Sequence, residues 1–190
     1  GPSGAHPLGT DELGRDLLSR VIIGGRASLM IGLEVMILTA VFGTLIALAI
    51  GLFDAADMVV MRFMDIMMAF PSLLLAIALL AILRNSPLGV VIALTVVYTP
   101  RTVRVLRSEV LTLREQLYVE AARAVGVRTP TILVRHILPG IVPVLVVQET
   151  FLFAYAILAE AGISFVGVGV QPPQPSWGNI LGDARAILSE

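Results

Sequence analysis

Gln148 and Glu149 stand close to the middle of an apolar run from Ile137 to about Leu158, where a carboxylate needs a reason to be. A charge at mid-membrane depth costs roughly 2.5–3.5 kcal/mol on insertion scales, so it faces a cavity or a partner group. Two uses are open. Glu149, with Gln148 beside it, lies on a translocation path and meets the amino terminus of a solute, or it is a buried structural hydrogen-bonding group. Glu34 raises the same question in an earlier run, where it either reaches the interface or faces another helix. Arg62 and Asp65, three residues apart, share a helix face and form an expected pair near a membrane boundary. None of these carboxylates has a companion nucleophile or metal set that would make it an enzyme's acid or base. The chain has no cysteine, which excludes thiol nucleophiles, disulfide frameworks and cysteine metal sites together. Met58, Met61, Met64, Met67 and Met68 fall at helical spacing and are expected to pack rather than bind metal. His6 and His136 stand alone, on opposite sides of the membrane in the topology below.

The elements that must position these groups are apolar. Of 190 residues, 57% are hydrophobic and 14% charged, with a formal net charge of −1 and a mean hydropathy of +0.92. Soluble domains carry about 25% charged residues, so the expected class is a polytopic membrane protein, and the near-zero charge gives no reason to expect nucleic acid. Candidate spans are 29–52, 58–83, 88–107 and 137–158. The first, interrupted by Glu34 and Thr44, reaches about 36 Å at 1.5 Å per residue. Pro71 and Pro100 introduce kinks, and Gly32, Gly43 and Gly51 allow close helix approach. Ahead of the first span, Thr10 is expected to cap a helix over Asp11–Ile23, with Asp11 and Glu12 near its positive end. Asp11 with Arg15 and Asp16 with Arg20 are spaced for ion pairs. That helix lies on the membrane surface or against a partner chain. The chain opens without Met or a signal peptide and is expected to be a piece of a longer one.

All 13 basic residues are arginine. Seven of them, at 101, 104, 107, 114, 123, 128 and 135, fall between Thr99 and His136, from the end of the third span to the start of the fourth, which places the loop 108–136 in the cytoplasm and Arg84 and the amino-terminal helix outside. The tail from Gly162 to Pro175 is expected to be irregular or re-entrant on the outer side, with Trp177 as an interfacial anchor. Within the loop, the segment from Tyr118 to Val127 predicts a helix with small residues at 121, 122 and 124. It ends at Gly126 in a left-handed conformation. Thr129 then caps a second helix with Pro130 in its first turn, leading into the fourth span.

Glu120-Ala121-Ala122, Gly126 and Ile137-Leu138-Pro139 resemble the E-A-A…G…I-x-L-P signature of ABC importer permeases, with no residue between the isoleucine and the leucine. The stretch His6 to Asp16 with Ser19-Arg20, Gly25 and Arg26 resembles the peptide and nickel branch of that family. So does Glu160 to Pro173 with Ser176-Trp177-Gly178, and the type resembled is the C-type subunit. The resemblance implies an all-α, polytopic membrane helix bundle of the type I ABC importer, methionine-importer-like kind, with one further span before this region and one after it. It also implies that Glu120, Ala121, Ala122, Gly126, Leu138 and Pro139 couple to ATPases. Implied partners are a second homologous permease, two ABC ATPase subunits, an extracytoplasmic solute-binding protein and the lipid bilayer. This chain would bind no cofactor, with ATP and Mg on the ATPases; consistently, it has no G-x-x-x-x-G-K-[ST] phosphate loop. The implied setting is a bacterial or archaeal inner membrane, and the implied activity is di- or oligopeptide import by alternating access. A permease for nickel or another small solute, an intramembrane enzyme and a nontransporting scaffold are the alternatives.

Overall fold

The computed structural model describes residues 2–4, 6–11, 13–51, 54–83, 85–171 and 173–188; the expectations for Glu12, Leu52, Arg84 and Pro172 lie outside them. In chain order the helices are α1 (Leu17–Ile50), α2 (Asp54–Ala69), α3 (Ser72–Leu83), α4 (Pro87–Arg114), α5 (Leu117–Ala124) and α6 (Thr129–Ile132). A π-helical turn (Leu133–Ile137), α7 (Leu138–Phe165) and α8 (Trp177–Leu188) follow. Among the described residues an isolated bridge between Thr10 and Asp16 is the only extended pairing, so the fold is all-α. Helix α1, helix α4 and the continuous run Thr129–Phe165 are long and apolar enough to cross a membrane, and Ala56–Ala69 with Ser72–Leu83 adds a fourth crossing if the broken pair is one span. The chain is a multi-pass membrane protein. Pro71 does more than kink its helix: it lacks an N–H and its ring excludes the carbonyl four residues back, so α2 stops and α3 starts anew.

The separate amino-terminal helix expected over Asp11–Ile23 does not form. Asp16, not Thr10, caps the first helix, accepting the Ser19 N–H at 2.9 Å and the Ser19 hydroxyl at 2.6 Å, and α1 then runs on without interruption to Ile50. Asp11 pairs with Arg15 at 2.7 Å as the spacing predicts. Arg20, however, reaches Asp11 and Asp183, while Asp16 takes the His6 ring at 3.0 Å. The cause is a turn at Gly14, whose φ of +73° folds the segment back over the start of α1.

The chain forms two compact units. One comprises Gly1–Val35, Leu73–Leu94 and Phe153–Glu190. In it, α8 opens on a reciprocal cap: the Ser176 N–H donates to Asn179 Oδ1 at 2.8 Å and the Asn179 N–H to Ser176 Oγ at 3.3 Å. The Trp177 indole donates to the Val21 carbonyl at 3.1 Å, and its backbone N–H to Ser28 Oγ at 3.3 Å. Trp177 thus ties α8 to α1. The other unit comprises Met36–Ser72 and Thr95–Leu152. There Arg107 grips Asp57 with two guanidinium nitrogens, Arg104 pairs with Asp65, and Arg114 donates to the Gly51 carbonyl at 3.0 Å. These contacts fasten α4 to α2 and to the end of α1; Asp65 therefore pairs across helices, not with Arg62. Met64 is buried with Ile50 and Val103, and Met61 packs against them, whereas Met58 is exposed.

Burial works to raise the Asp11 carboxyl, but the Arg15 amide and the Arg20 and Arg15 guanidiniums outweigh it and hold it well below the ordinary carboxylate range. The hydroxyl and amide of Ser19, with His6, lower Asp16 too. Both groups have depressed folded values, so their contribution is complete above the unfolded carboxylate pKa of about 3.9 and is lost as the pH falls through the folded values. Amide protection at Leu13, Arg15 and Ser19, whose N–H groups these carboxylates accept, is expected to stay level from neutral pH down to about pH 5 and to fall below about pH 4. Protection unchanged at pH 2 contradicts the assignment.

Candidate coupling surface and buried carboxylate

Helix α5 has eight residues, too few to be stable alone in water, so its packing must hold it. Val119 and Ala122, three residues apart, point inward and are buried with Leu106 and Val110 of α4, Ile132 of α6, and Leu133 and Ile137 of the π-helical turn. Gln116 caps α5 without side-chain help; its carbonyl accepts the Val119 and Glu120 N–H groups at 2.9 and 3.1 Å. The other end closes as a Schellman motif, with the Val127 N–H on the Ala122 carbonyl at 3.0 Å and the Gly126 N–H on the Arg123 carbonyl at 3.0 Å. Gly126 has φ +82° and open space around it, so glycine is needed there for backbone conformation and not for room. Tyr118 stacks on His136, with ring centroids 6.4 Å apart, which links α5 to the π-helical turn by a second contact.

The face turned away from this core carries Glu120, Ala121, Ala124 and Gly126, all exposed. Leu117 and Val125 flank it at 81% and 80% exposure, and Arg123, Arg128 and Arg135 are exposed nearby. Two large apolar side chains this open, rimmed by charge, make this face a candidate interaction surface. Leu138 packs against the buried cluster, and Pro139 is exposed at the start of α7. The π register over Leu133–Ile137 widens the turn where the Pro139 ring would otherwise strike the carbonyl four residues back. Thr129 begins α6 but does not cap it; Arg128 holds the cap position without a side-chain bond. The structure thus gathers Glu120, Ala121 and Ala122 on one short helix and Gly126 in the turn that ends it, with Leu138 against the same buried cluster.

Gln148 and Glu149 occupy a different part of the same unit. Glu149 is only 5% exposed. Its Oε2 accepts the Thr39 hydroxyl at 2.8 Å and its Oε1 the Thr102 hydroxyl at 2.8 Å, so one carboxylate ties α7 to α1 and α4. Gln148 is half-buried beside it. A Cβ on Gly43 would come within 2.5 Å of Thr102 Cγ2; glycine there lets α1 lie close enough to α4 for the tie to form. Gly51 and Gly32 meet Val110 and Ile157 as closely. A second carboxylate, Glu160, is fully buried and takes the Ser164 hydroxyl at 2.7 Å. Its other oxygen has no hydrogen-bond partner among the described residues.

Residues 35–188 match the family model described as binding-protein-dependent transport system inner membrane component. The chain belongs to that family. Its fold is therefore the type I ABC importer permease fold. It is 48% identical over 184 residues to a Brucella suis protein named for peptide transport as a permease, an alignment covering 97% of this chain and 62% of that one. It is 42% identical over 189 residues to the glutathione transport system permease protein GsiD of Pectobacterium atrosepticum, covering 99% of this chain and 63% of the relative. The dipeptide transport system permease protein DppC of Alkalihalophilus pseudofirmus is likewise 42% identical, with 99% and 62% covered. The chain thus spans somewhat under two thirds of the length of these relatives.

Thr39 and Thr102 are the groups the sequence did not single out. Both lie in apolar helices where a threonine draws no attention, and only the folded register brings them to Glu149. Gly43→Ala is expected to destabilise this unit by about 1–3 kcal/mol through overpacking, because Thr102 is stiff at χ1 and its hydroxyl is held by Glu149. Adding Thr102→Ser, which deletes the struck methyl and keeps the hydroxyl, restores part of the loss. Thermal unfolding of the solubilised protein with all four genotypes measures this; a Gly43→Ala protein as stable as wild type contradicts the close-packed tie.

Proposed function

We propose that this chain is the membrane-spanning permease part of an ATP-driven importer of di- or oligopeptides, and that α5 is the element through which partner ATPases move it. The carrying observation is the two-sided character of α5: Val119 and Ala122 are locked into the core, while Glu120, Ala121 and the flanking Leu117 and Val125 are open. A helix built this way receives force on one face and delivers it through the other to the ends of α4 and α7. Relatives named for dipeptide, glutathione and peptide transport support the peptide class.

The partners in this reading are a second, homologous permease, two ABC ATPase subunits that bind ATP and Mg, and an extracytoplasmic solute-binding protein. The setting is the inner membrane of a bacterium or archaeon, with α5 on the cytoplasmic side, where exposed Arg123, Arg128 and Arg135 suit the positive-inside rule. Glu120, Ala121, Ala122 and Gly126 form the docking helix; Leu138 and Pro139 are the hinge into α7. ATP-driven closure of the ATPases shifts α5 and switches the cavity between outward-open and inward-open states. On the path, Gln148 is the group available to solute, and Glu149 holds α1, α4 and α7 in register behind it.

Glu120→Lys reverses an exposed charge that makes no ion pair among the described residues, and Gly126→Pro removes the left-handed turn that ends α5. In the complete transporter reconstituted with its ATPases and binding protein, each is expected to insert normally, to cut peptide uptake by about tenfold or more, equivalent to ~1.4 kcal/mol, and to leave ATP hydrolysis running uncoupled from it. Normal uptake by both variants overturns the assignment of α5.

A further inference from the structure

We propose that α1 carries a binding site for a short zwitterionic peptide, in which Arg26 takes the terminal carboxylate and Glu34 the terminal ammonium. The inference rests on the peptide-permease reading above and adds to it a site distinct from Gln148 and Glu149. A cavity of about 450 Å³ lies within the first unit, bounded by α1, the first turn of α4 and the segment before α8. Ligand pockets run from roughly 300 to 1,000 Å³.

Ile23, Arg26, Met30 and Glu34 all line this cavity, at the spacing that puts residues on one helix face. Arg26 and Glu34 are exposed, and neither makes an ion pair or hydrogen bond among the described residues. Nor can α1 itself supply a counter-ion. The neighbours of Arg26 at three and four residues are Ile22, Ile23, Leu29 and Met30; those of Glu34 are Met30, Ile31, Ile37 and Leu38. Two unpaired opposite charges in apolar surroundings are costly, and both open into one space.

Their separation selects the ligand. Eight residues of helix put the two Cα atoms about 12 Å apart along the axis, and an extended tripeptide spans about 10 Å. The two side chains close the remainder, so two or three residues fit with both termini engaged. Between the charges on α1 stands Met30, which is flexible and tolerant of shape, and Leu88 of α4 also lines the cavity. Gln174 also lines the cavity, its side-chain amide makes no hydrogen bond among the described residues, and an amide suits a peptide backbone group. Such a site reads the ends of a peptide and is indifferent to its side chains.

The test uses the assembled transporter containing this chain in nanodiscs, without binding protein, and measures equilibrium binding of labelled trialanine, N-acetyl-trialanine and trialanine amide. Wild type is expected to prefer trialanine to each blocked peptide by about tenfold, or ~1.4 kcal/mol. Arg26→Gln abolishes the preference over the amide and keeps that over the N-acetyl form. Glu34→Gln does the reverse, and Arg26→Lys and Glu34→Asp retain both preferences. A wild-type complex that binds all three alike, or variants that keep both preferences, overturns the site. So does a complex that binds no trialanine yet still imports it when ATP and binding protein are added. Absence of ATP-driven peptide uptake under every condition overturns the permease reading itself, and the site with it.

Discussion

The burial of Val119 and Ala122 is the contact on which the rest depends. An eight-residue helix has too few internal hydrogen bonds to persist alone, so α5 exists because those two side chains complete an apolar cluster built by α4, α6, the π-helical turn and α7. The same burial makes α5 mechanically useful. A displacement of its open face cannot be absorbed by sliding over a wet surface; it must move close-packed neighbours. The Schellman closure at Gly126 and the Tyr118–His136 stack keep the short helix one body while that happens.

Deeper in the unit the problem is different, because apolar helices that can slide in lipid need polar contacts to fix their register. Glu149 answers it by accepting a hydroxyl from each of two other helices, and removal of either threonine would leave a buried acceptor unsatisfied, which costs about 1–3 kcal/mol. Gly43 is the steric condition for that arrangement. The arginines of α4 serve the same end nearer the loop: Arg104 and Arg107 hold α2, which uses up part of the positive charge that a loop-wide count assigns to topology.

What the sequence disclosed follows the range of the physics involved. The α5 helix and its Gly126 stop were legible because a left-handed glycine and small-residue spacing are local signals. The all-α membrane class was legible because apolar length is a property of the composition. Partner choice was not: Asp65 went to Arg104 instead of Arg62 and Arg20 to Asp11 instead of Asp16, since a residue 39 positions away, or a turn at Gly14, outweighs an i,i+3 or i,i+4 neighbour. The hydroxyls on Glu149 were hidden for the same reason. Helix α8 did leave a trace, a serine followed three residues later by asparagine at 176 and 179, which acts as a capping box although the usual third residue is Glu or Gln. The π-helical turn left none beyond Pro139 itself.

Because these 190 residues hold no cysteine, one engineered thiol, read on this chain after the subunits are separated, reports its own position. Ala121→Cys places it on the open face of α5 while Val119 and Ala122 stay buried. In the assembled transporter this thiol should resist a membrane-impermeant maleimide in intact cells, react in inverted vesicles stripped of the ATPases, and become protected when the ATPases are added back. Labelling from outside intact cells, or labelling in inverted vesicles that the ATPases do not affect, would contradict the account.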